Sequence, residues 1–325
     1  MALESMTGTV ALTGVTGFIG SVLARRLSAE GWCVRALVRP ASSKARKDSL
    51  AAEWIDGTLE DSESLCRLIA GVDIVIHCAG LVQASSKADF IRVNVGGVAR
   101  LAQVAAKQKP LPRFLLISSL AAREPDISPY ASSKRQGEMA LASGAAGMGW
   151  TILRPPAVYG LGNRALDSLF GWMGRGVALI LGPPNMRFSL LHVEDLADAV
   201  LRCLKGGVFA GQTFELHDGH PNGYTWGEVA NTVAQVRERR VLHARVPVPV
   251  LDLLAKANTL LSRVFRYAPM LTPGKVRELQ HPNWVCDNDE FYRATGWVPQ
   301  LSLEEGLRRT LGLGPAIAGS ALAQG

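Results

Sequence analysis

Short apolar runs alternate with stretches of helical periodicity over the first half of the chain. The runs fall at 9–12, 34–38, 52–55, 73–77, 113–118 and 151–154, most of them rich in Val, Ile and Leu. Runs this short and this apolar read as strands covered on both faces. Helical spacing between them predicts helices near 18–30, 61–70, 88–108 and 129–146. Regular alternation of this kind predicts the α/β class, a doubly wound parallel sheet with helices on both faces. From Pro156 onward the pattern turns irregular, with Gly- and Pro-rich loops at Gly160–Gly162 and Gly182–Pro184. Capping boxes Thr225-Trp-Gly-Glu228 and Ser302-Leu-Glu-Glu305 each open a helix.

One later segment has its own character. Between Val248 and Met270, apolar residues recur at Leu251, Leu254, Leu261, Val264 and Phe265, with Lys256, Arg263 and Arg266 beside them. Two readings stand: a helix facing the core, or a basic amphipathic helix lying at a membrane interface or opening onto a lipid-shaped cleft.

The chain has 325 residues, 48% of them hydrophobic and 19% charged, so it can bury a large core. No run of 18 or more apolar residues offers a membrane span, and Met1–Met6 lacks the features of a signal peptide. The five cysteines (33, 66, 78, 203, 286) form no C-x-x-C pair. Reduced thiols in a cytoplasmic protein are expected. His217-Asp-Gly-His220 reads as a turn, and no metal site is expected. The net charge of +7 is uneven, with nine Lys or Arg against three acids between Arg237 and Glu278. That cluster is either a solvated basic face or a contact for an anionic partner, such as a phosphate-bearing substrate or the inner face of an anionic membrane. Aromatics do not interleave with it, so no nucleic-acid partner is expected.

Near the start, Gly14, Gly17 and Gly20 lie between the run Val10–Leu12 and a helical pattern from Phe18. A strand, a tight glycine turn and a helix N-terminus together offer free N–H groups and a positive dipole end to a pyrophosphate. Farther on, Ser118-Ser119 ends an apolar run and Tyr130-Ala-Ser-Ser-Lys134 follows.

In that order these pieces resemble the short-chain dehydrogenase/reductase family, in its extended branch of epimerases, dehydratases and hydroxysteroid-type dehydrogenases. His77-Cys-Ala-Gly80, Asn94, Arg154-Pro155 with Val158-Tyr159-Gly160, His192-Val-Glu-Asp195 and Gly296-Trp297-Val-Pro299 extend the likeness from about Thr9 to about Thr310. The resemblance implies a last sheet strand near 213–216. It implies a Rossmann domain over 1–155 and 186–216, a substrate domain over 156–185 and 217–310, and a fraying tail over 311–325. It also implies a homodimer through the helices near 88–108 and 129–146. Cofactor contacts would come from Gly14, Thr16, Gly17, Phe18, Ile19, Arg39, Thr58, Leu59, Cys78, Ala79, Gly80, Tyr130, Lys134, Pro155, Ala157 and Val158.

Reduction of a carbonyl needs a hydride on its carbon and a proton for its oxygen. Tyr130 can supply the proton, but a free phenol with a pKa of about 10 gives it up slowly near neutrality. Lys134, one helical turn on, is expected to lower that pKa by its charge. By resemblance, Lys134 also holds the nicotinamide ribose, Ser119 binds the substrate oxygen, and Asn94 distorts its helix to support the lysine through water. Ser118 is expected to support the strand end, and Asp195 to cap a helix. His77 either lines the nicotinamide pocket or packs.

NAD-preferring sites place an acid at the end of the second strand. Here no acid occurs from Val34 to Lys47, and Arg39, Lys44, Arg46 and Lys47 stand there instead. NADP(H) is therefore the favoured cofactor, with NAD(H) still open if Arg39 only stacks on adenine. Thr58 replaces the family's usual aspartate at the adenine.

Sugar-nucleotide enzymes of the family carry Asn where this chain has Ala157, although Arg187 falls where some of them place an arginine. The loop Leu120–Pro129 is short. With the basic amphipathic segment, these features favour a hydrophobic ketone. The nearest likeness is to 3β-hydroxysteroid dehydrogenases and to bacterial ketoreductases of sphingolipid synthesis, which act on a 3-oxo sphingoid base or ceramide. A nucleotide-sugar epimerase or dehydratase using bound NAD, and a non-catalytic NAD(P)H-binding scaffold, remain the alternatives. Ser119, Tyr130 and Lys134 together weigh against the scaffold.

Overall fold

The computed structural model describes residues 8–41, 50 and 52–313. Met1–Met6, Lys44, Arg46, Lys47 and the tail from residue 314 lie outside the described residues. The chain begins β1 (Thr9–Thr13), α1 (Phe18–Ala29), β2 (Cys33–Val38), β3 (Ala52–Asp56), α2 (Ser62–Ile69), β4 (Ile74–His77), α3 (Lys87–Phe90) and α4 (Gly96–Ala105). It continues through β5 (Arg113–Ile117), α5 (Pro129–Gly144), β6 (Trp150–Arg154), β7 (Ala157–Tyr159), α6 (Arg164–Gly174), β8 (Val177–Ile180), β9 (Arg187–Phe188) and β10 (Leu190–His192). Then follow α7 (Val193–Gly206), β11 (Gln212–Glu215), α8 (Trp226–Arg237), β12 (Leu242–Arg245) and α9 (Val248–Phe265). The described chain closes with α10 (Pro273–Gln280), β13 (Asn283–Trp284), α11 (Asp289–Thr295) and α12 (Leu303–Thr310).

Seven strands form one parallel sheet in the order β11-β6-β5-β4-β1-β2-β3. The sheet is the doubly wound one the alternating pattern predicts, and β11 is the late strand the resemblance implies. Successive strand residues point to opposite faces. Val10, Leu12, Ile74 and Ile76 accordingly pack with Leu23 and Leu27 of α1 and Leu196 and Val200 of α7 on one face. Ala11 and Val75 pack on the other, with residues of α2, α4 and α5 such as Leu65, Leu101 and Leu141. Both layers are dry, which is why the strands read as unbroken apolar runs.

The single helix expected over 88–108 is instead three pieces: α3, a π-helical turn at Ile91–Val95, and α4. Asn94 sits buried in that turn. Its amide accepts from Leu81 N–H at 2.7 Å and donates to Leu81 C=O at 2.9 Å. Apolar periodicity cannot report such a break, because one widened turn shifts the stripe by a single residue.

Beyond the sheet, three short parallel pairs (β7 with β10, β8 with β12, β9 with β13) join distant segments. A third core gathers Tyr159, Phe170, Phe188, Trp226, Val233 and Leu307. Leu311 and Leu313 pack against it, so the first residues of the expected fraying tail are held. A small fourth core of Leu251, Ala255 and Val276 fastens α9 to α10.

The C-terminal edge of the sheet is tied by buried charge. Glu138 of α5 accepts from Arg154 Nε at 2.8 Å and Nη2 at 2.6 Å, and from Ser118 Oγ at 2.6 Å. Arg154 also lies 3.9 Å from Glu215 at the end of β11, which Arg123 approaches at 3.5 Å. Removing one partner of such a pair strands the other in low dielectric, whereas removing both is far milder. Glu138→Leu should therefore cost about 3–5 kcal/mol in urea unfolding, and adding Arg154→Met should recover most of it. A single mutant as stable as the parent would show that the network carries no stability.

Candidate active site

Strand order reverses between β1 and β4, because the chain winds outward from β1 through β2 and β3 and returns on the other side through β4. Crevices of α/β sheets open at this switch, above the carboxyl ends of the strands. The turn after β1 holds Gly14 at φ +80°, a conformation L side chains avoid. A Cβ on Gly20 would lie 2.1 Å from Gly14 O, so the first turn of α1 can seat this close only with glycine there. Gly17 caps α1 with no side-chain bond, which leaves the first N–H groups of the helix, at Phe18 and Ile19, without a side-chain cap. A dinucleotide pyrophosphate fits this positively polarised turn.

Cys78, Ala79 and Gly80 leave β4 on the other side of the switch. His77, which precedes them, is fully buried, with Nδ1 2.7 Å from Thr13 Oγ1. Thr13 Oγ1 in turn accepts from Ala79 N–H at 3.3 Å. Burial, with the nearby Lys134 charge adding to it, pushes the His77 pKa down to about 3. The ring is a neutral packing group that fixes the strand-end loop. Burial likewise pushes the Cys78 thiol up to about 12, so it is no nucleophile near neutrality.

Helix α5 presents Tyr130, Lys134 and Glu138 at four-residue spacing, one above another on a single face. Each meets one of the residues 117–119 at the end of β5, though not in ladder order. Glu138 takes Ser118, Lys134 Nζ donates to Ile117 C=O at 3.0 Å, and Tyr130 reaches the Ser119 hydroxyl. Ser119 also accepts from Ala121 N–H at 3.2 Å, which fixes its rotamer. Asn94 Nδ2 donates to Ser133 Oγ at 2.9 Å, and Ser133 donates to Tyr130 C=O at 2.7 Å. Asn94 thus braces the same helix from behind. A Cβ on Gly80 would lie 3.2 Å from Asn94 Oδ1 and 3.7 Å from Lys134 Nζ, so glycine keeps the space before the lysine open.

The expectation that Lys134 lowers the Tyr130 pKa is not what this geometry gives. Burial pushes the phenol up to about 12, the Ser119 hydrogen bond opposes the rise, and the Glu278 charge adds to it. The Lys134 ammonium is turned to the Ile117 carbonyl and is itself shifted down by burial. Tyr130 is therefore a protonated phenol throughout the neutral range.

Other expected positions sort cleanly. Arg39 stands exposed just past β2, at the carboxyl end of that strand. Thr58 turns its hydroxyl to Glu60 N–H at 3.2 Å, and Leu59 C=O accepts from Arg100 at 2.6 Å, so these two shape the loop beyond β3. Pro155 C=O accepts from Leu120 N–H at 2.9 Å. Ala157 and Val158 open β7, with Ala157 exposed. Asp195 does not cap α7, since the His192 side chain does that. It instead accepts from Gln300 and Leu301 N–H, both at 3.1 Å. His217 and His220 lie in a turn where Asp218 accepts from Tyr224 at 2.8 Å.

Three residues escaped the sequence reading. Glu138 could have been found by extending the Tyr130–Lys134 spacing one more turn. Ser128, the N-cap of α5, accepts from Ala131 N–H at 3.0 Å and donates to Glu278, a buried carboxylate on α10 that Lys275 also meets at 2.8 Å. No local signal joins residues so far apart in the chain.

The sequence model of the NAD dependent epimerase/dehydratase family matches residues 10–215. A ceramide reductase of Caulobacter vibrioides is 35% identical over 90% of this chain and 97% of its own. A farnesyl-dihydroquinoline-oxide ketoreductase of Stigmatella aurantiaca is 29% identical over 65% of this chain and 68% of its own. The fold is shared with UDP-glucose 4-epimerase of Thermotoga maritima, with a TM-score of 0.73, 22% identity, and coverage of 94% of this chain and 97% of that one. With the glycine turn at the switch point and the Ser119, Tyr130 and Lys134 side chains at the end of β5, these likenesses have one reading: the chain belongs to the NAD dependent epimerase/dehydratase family, as an enzyme of the extended short-chain dehydrogenase/reductase class.

Proposed function

We propose that this enzyme is an NADPH-dependent reductase of a ketone carried by a hydrophobic lipid, a 3-oxo sphingoid base or ceramide or a sterol-like 3-ketone. The observation that carries the reading is the placement of Tyr130 and Lys134 on one face of α5 beside Ser119 and Ile117 at the end of β5. The cofactor supplies the hydride when bound. Phe18 and Ile19 N–H groups would hold its pyrophosphate, Arg39 its 2′-phosphate, and Lys134 its ribose. Ser119 would orient the carbonyl oxygen, and Tyr130 O–H would give that oxygen its proton. Segments 156–185 and 217–310 would form the substrate-binding part, which the third core supports. The homodimer through α4 and α5 stays in the proposal, and Met139 stands exposed on α5.

Two observations favour a lipid over a nucleotide sugar. Ala157 offers no amide to a phosphate. Arg187, the arginine that could have met one, is spent on Asn222 C=O at 2.6 Å and Gly223 C=O at 3.1 Å, with Glu228 beside it at 3.5 Å. The ceramide reductase likeness supports the same side. The epimerase reading keeps the family's name and a 26% identical UDP-glucose 4-epimerase of Vibrio cholerae in its favour. NADPH oxidation against a panel of 3-oxo lipids, sterols and UDP-sugars separates the two.

Tyr130→Phe should lower turnover of the true substrate by ~10²–10⁴ with cofactor binding unchanged. Near-normal turnover would remove Tyr130 from the mechanism. Titration of the cofactor should find NADPH bound at least about tenfold tighter than NADH, close to 1.4 kcal/mol, and Arg39→Ala should erase most of that gap. Equal affinities in the parent would return NAD and the epimerase reading. The pH profile follows from Tyr130 as well. Reduction uses the neutral phenol, whose pKa burial pushes up to about 12, so the reductive rate should lack an alkaline limb from this group in the neutral and mildly alkaline range. Oxidation needs the phenolate and should climb with pH throughout; a reductive rate that halves near pH 8 would contradict the assignment.

A further inference from the structure

The face of α9 turned away from the protein is apolar. Only Leu251, Ala255 and Ser262 of this 18-residue helix are buried. Leu253 is 68% exposed, Leu260 63%, Val264 68% and Phe265 71%, and Val250, Leu254 and Leu261 are also exposed. At 100° per residue these seven side chains fill an arc of roughly 140° opposite the buried edge. Lys256 and Arg263 border that arc. Among the described residues no carboxylate pairs with Lys256, Arg263 or Arg266. The core-facing reading of this segment therefore fails for four of its five marked positions; Leu251 alone packs inward.

The chain after the helix extends this face toward the candidate active site. Asn258 holds both Leu271 C=O, at 2.9 Å, and the Tyr267 hydroxyl, folding the segment back along α9. Ser85 donates to Tyr267 C=O at 3.3 Å, which brings the end of α9 against the loop after Gly80. Val82 of that loop is 70% exposed, and its neighbour Leu81 is the residue Asn94 grips.

We infer that α9 is a docking helix for an anionic membrane surface, lying in the interface with its apolar arc among the acyl chains and its cations at the headgroups. Charge selects the occupant. Lys256, Arg263 and Arg266, exposed and set against Asp252 as the one acid of α9, give the helix a net positive charge that suits a negatively charged surface and would repel the same helix of a second copy. Among the described residues no helix is long and apolar enough to cross a membrane, so the contact is peripheral. Docking here brings the loop beside Gly80 to the bilayer, where a lipid ketone would be met. That last step rests on the proposed function; the docking itself does not.

The test is sedimentation of the full chain with vesicles of phosphatidylcholine alone and of equal parts phosphatidylcholine and phosphatidylglycerol. The parent should sediment with the anionic vesicles and stay in solution with the neutral ones. Raising ionic strength from about 0.1 M to about 1 M, which shortens the screening length from ~10 Å to ~3 Å, should release most of it. Leu260→Ser with Val264→Ser, and separately Lys256→Glu with Arg263→Glu, should each reduce bound protein about tenfold or more, with the thermal midpoint unchanged because all four side chains point outward. A parent that ignores anionic vesicles overturns the inference. So does a serine pair that unfolds the protein, since the arc would then be core, or one that turns a dimer into monomer without vesicle binding in the parent. Binding needs no turnover, so failure of every lipid ketone as substrate would sink the proposed function and leave this result standing.

Discussion

Docking one face of α5 onto the end of β5 is the constraint on which the site depends. Three side chains spaced by four residues meet three consecutive residues of the strand end, and each contact has a different chemistry. Glu138 anchors through buried charge to Arg154. Lys134 is positioned by the Ile117 carbonyl, and Tyr130 lies beside the Ser119 hydroxyl. The Glu138 and Lys134 contacts fix the height and rotation of the helix that carries Tyr130. Asn94 braces from the other side by unwinding its own helix, at the cost of one irregular turn.

The basic segment from 237 to 278 is the clearest case of a feature that sequence leaves double-valued. An apolar stripe at helical spacing looks the same whether a protein core or a lipid tail covers it. The stripe has two edges here, a narrow one at Leu251 and Ala255 that packs on Val276 and a wide one that does not. Only the surrounding fold decides which edge is inside.

What was legible in the chain was what local rules control. Unbroken apolar runs gave the strands, because both faces of a parallel sheet are dry. The glycines after β1 marked the turn, because Gly14 and Gly20 are forced by φ and by contact. Ser119, Tyr130 and Lys134 were legible as a spacing. Long-range consequences were not. The four-residue rule offers Lys134 to Tyr130 as an ion partner, yet the ammonium turns to Ile117, and burial becomes the largest influence on the phenol. Arg187 looked available for a phosphate until Asn222 and Gly223, more than thirty residues on, claimed it. The join of Ser128 to Glu278 spans 150 positions and leaves no trace in either neighbourhood.

That join has a mechanical consequence. One hydroxyl closes the first turn of α5 by accepting Ala131 N–H, and the same hydroxyl holds α10, which shares a small core with α9. A pull on the outer helices reaches the turn that carries Tyr130 through this hydroxyl and through the Arg277 bond to Ile127 C=O at 2.8 Å. The exposed outer helices and the helix that carries Tyr130 are thereby joined side by side.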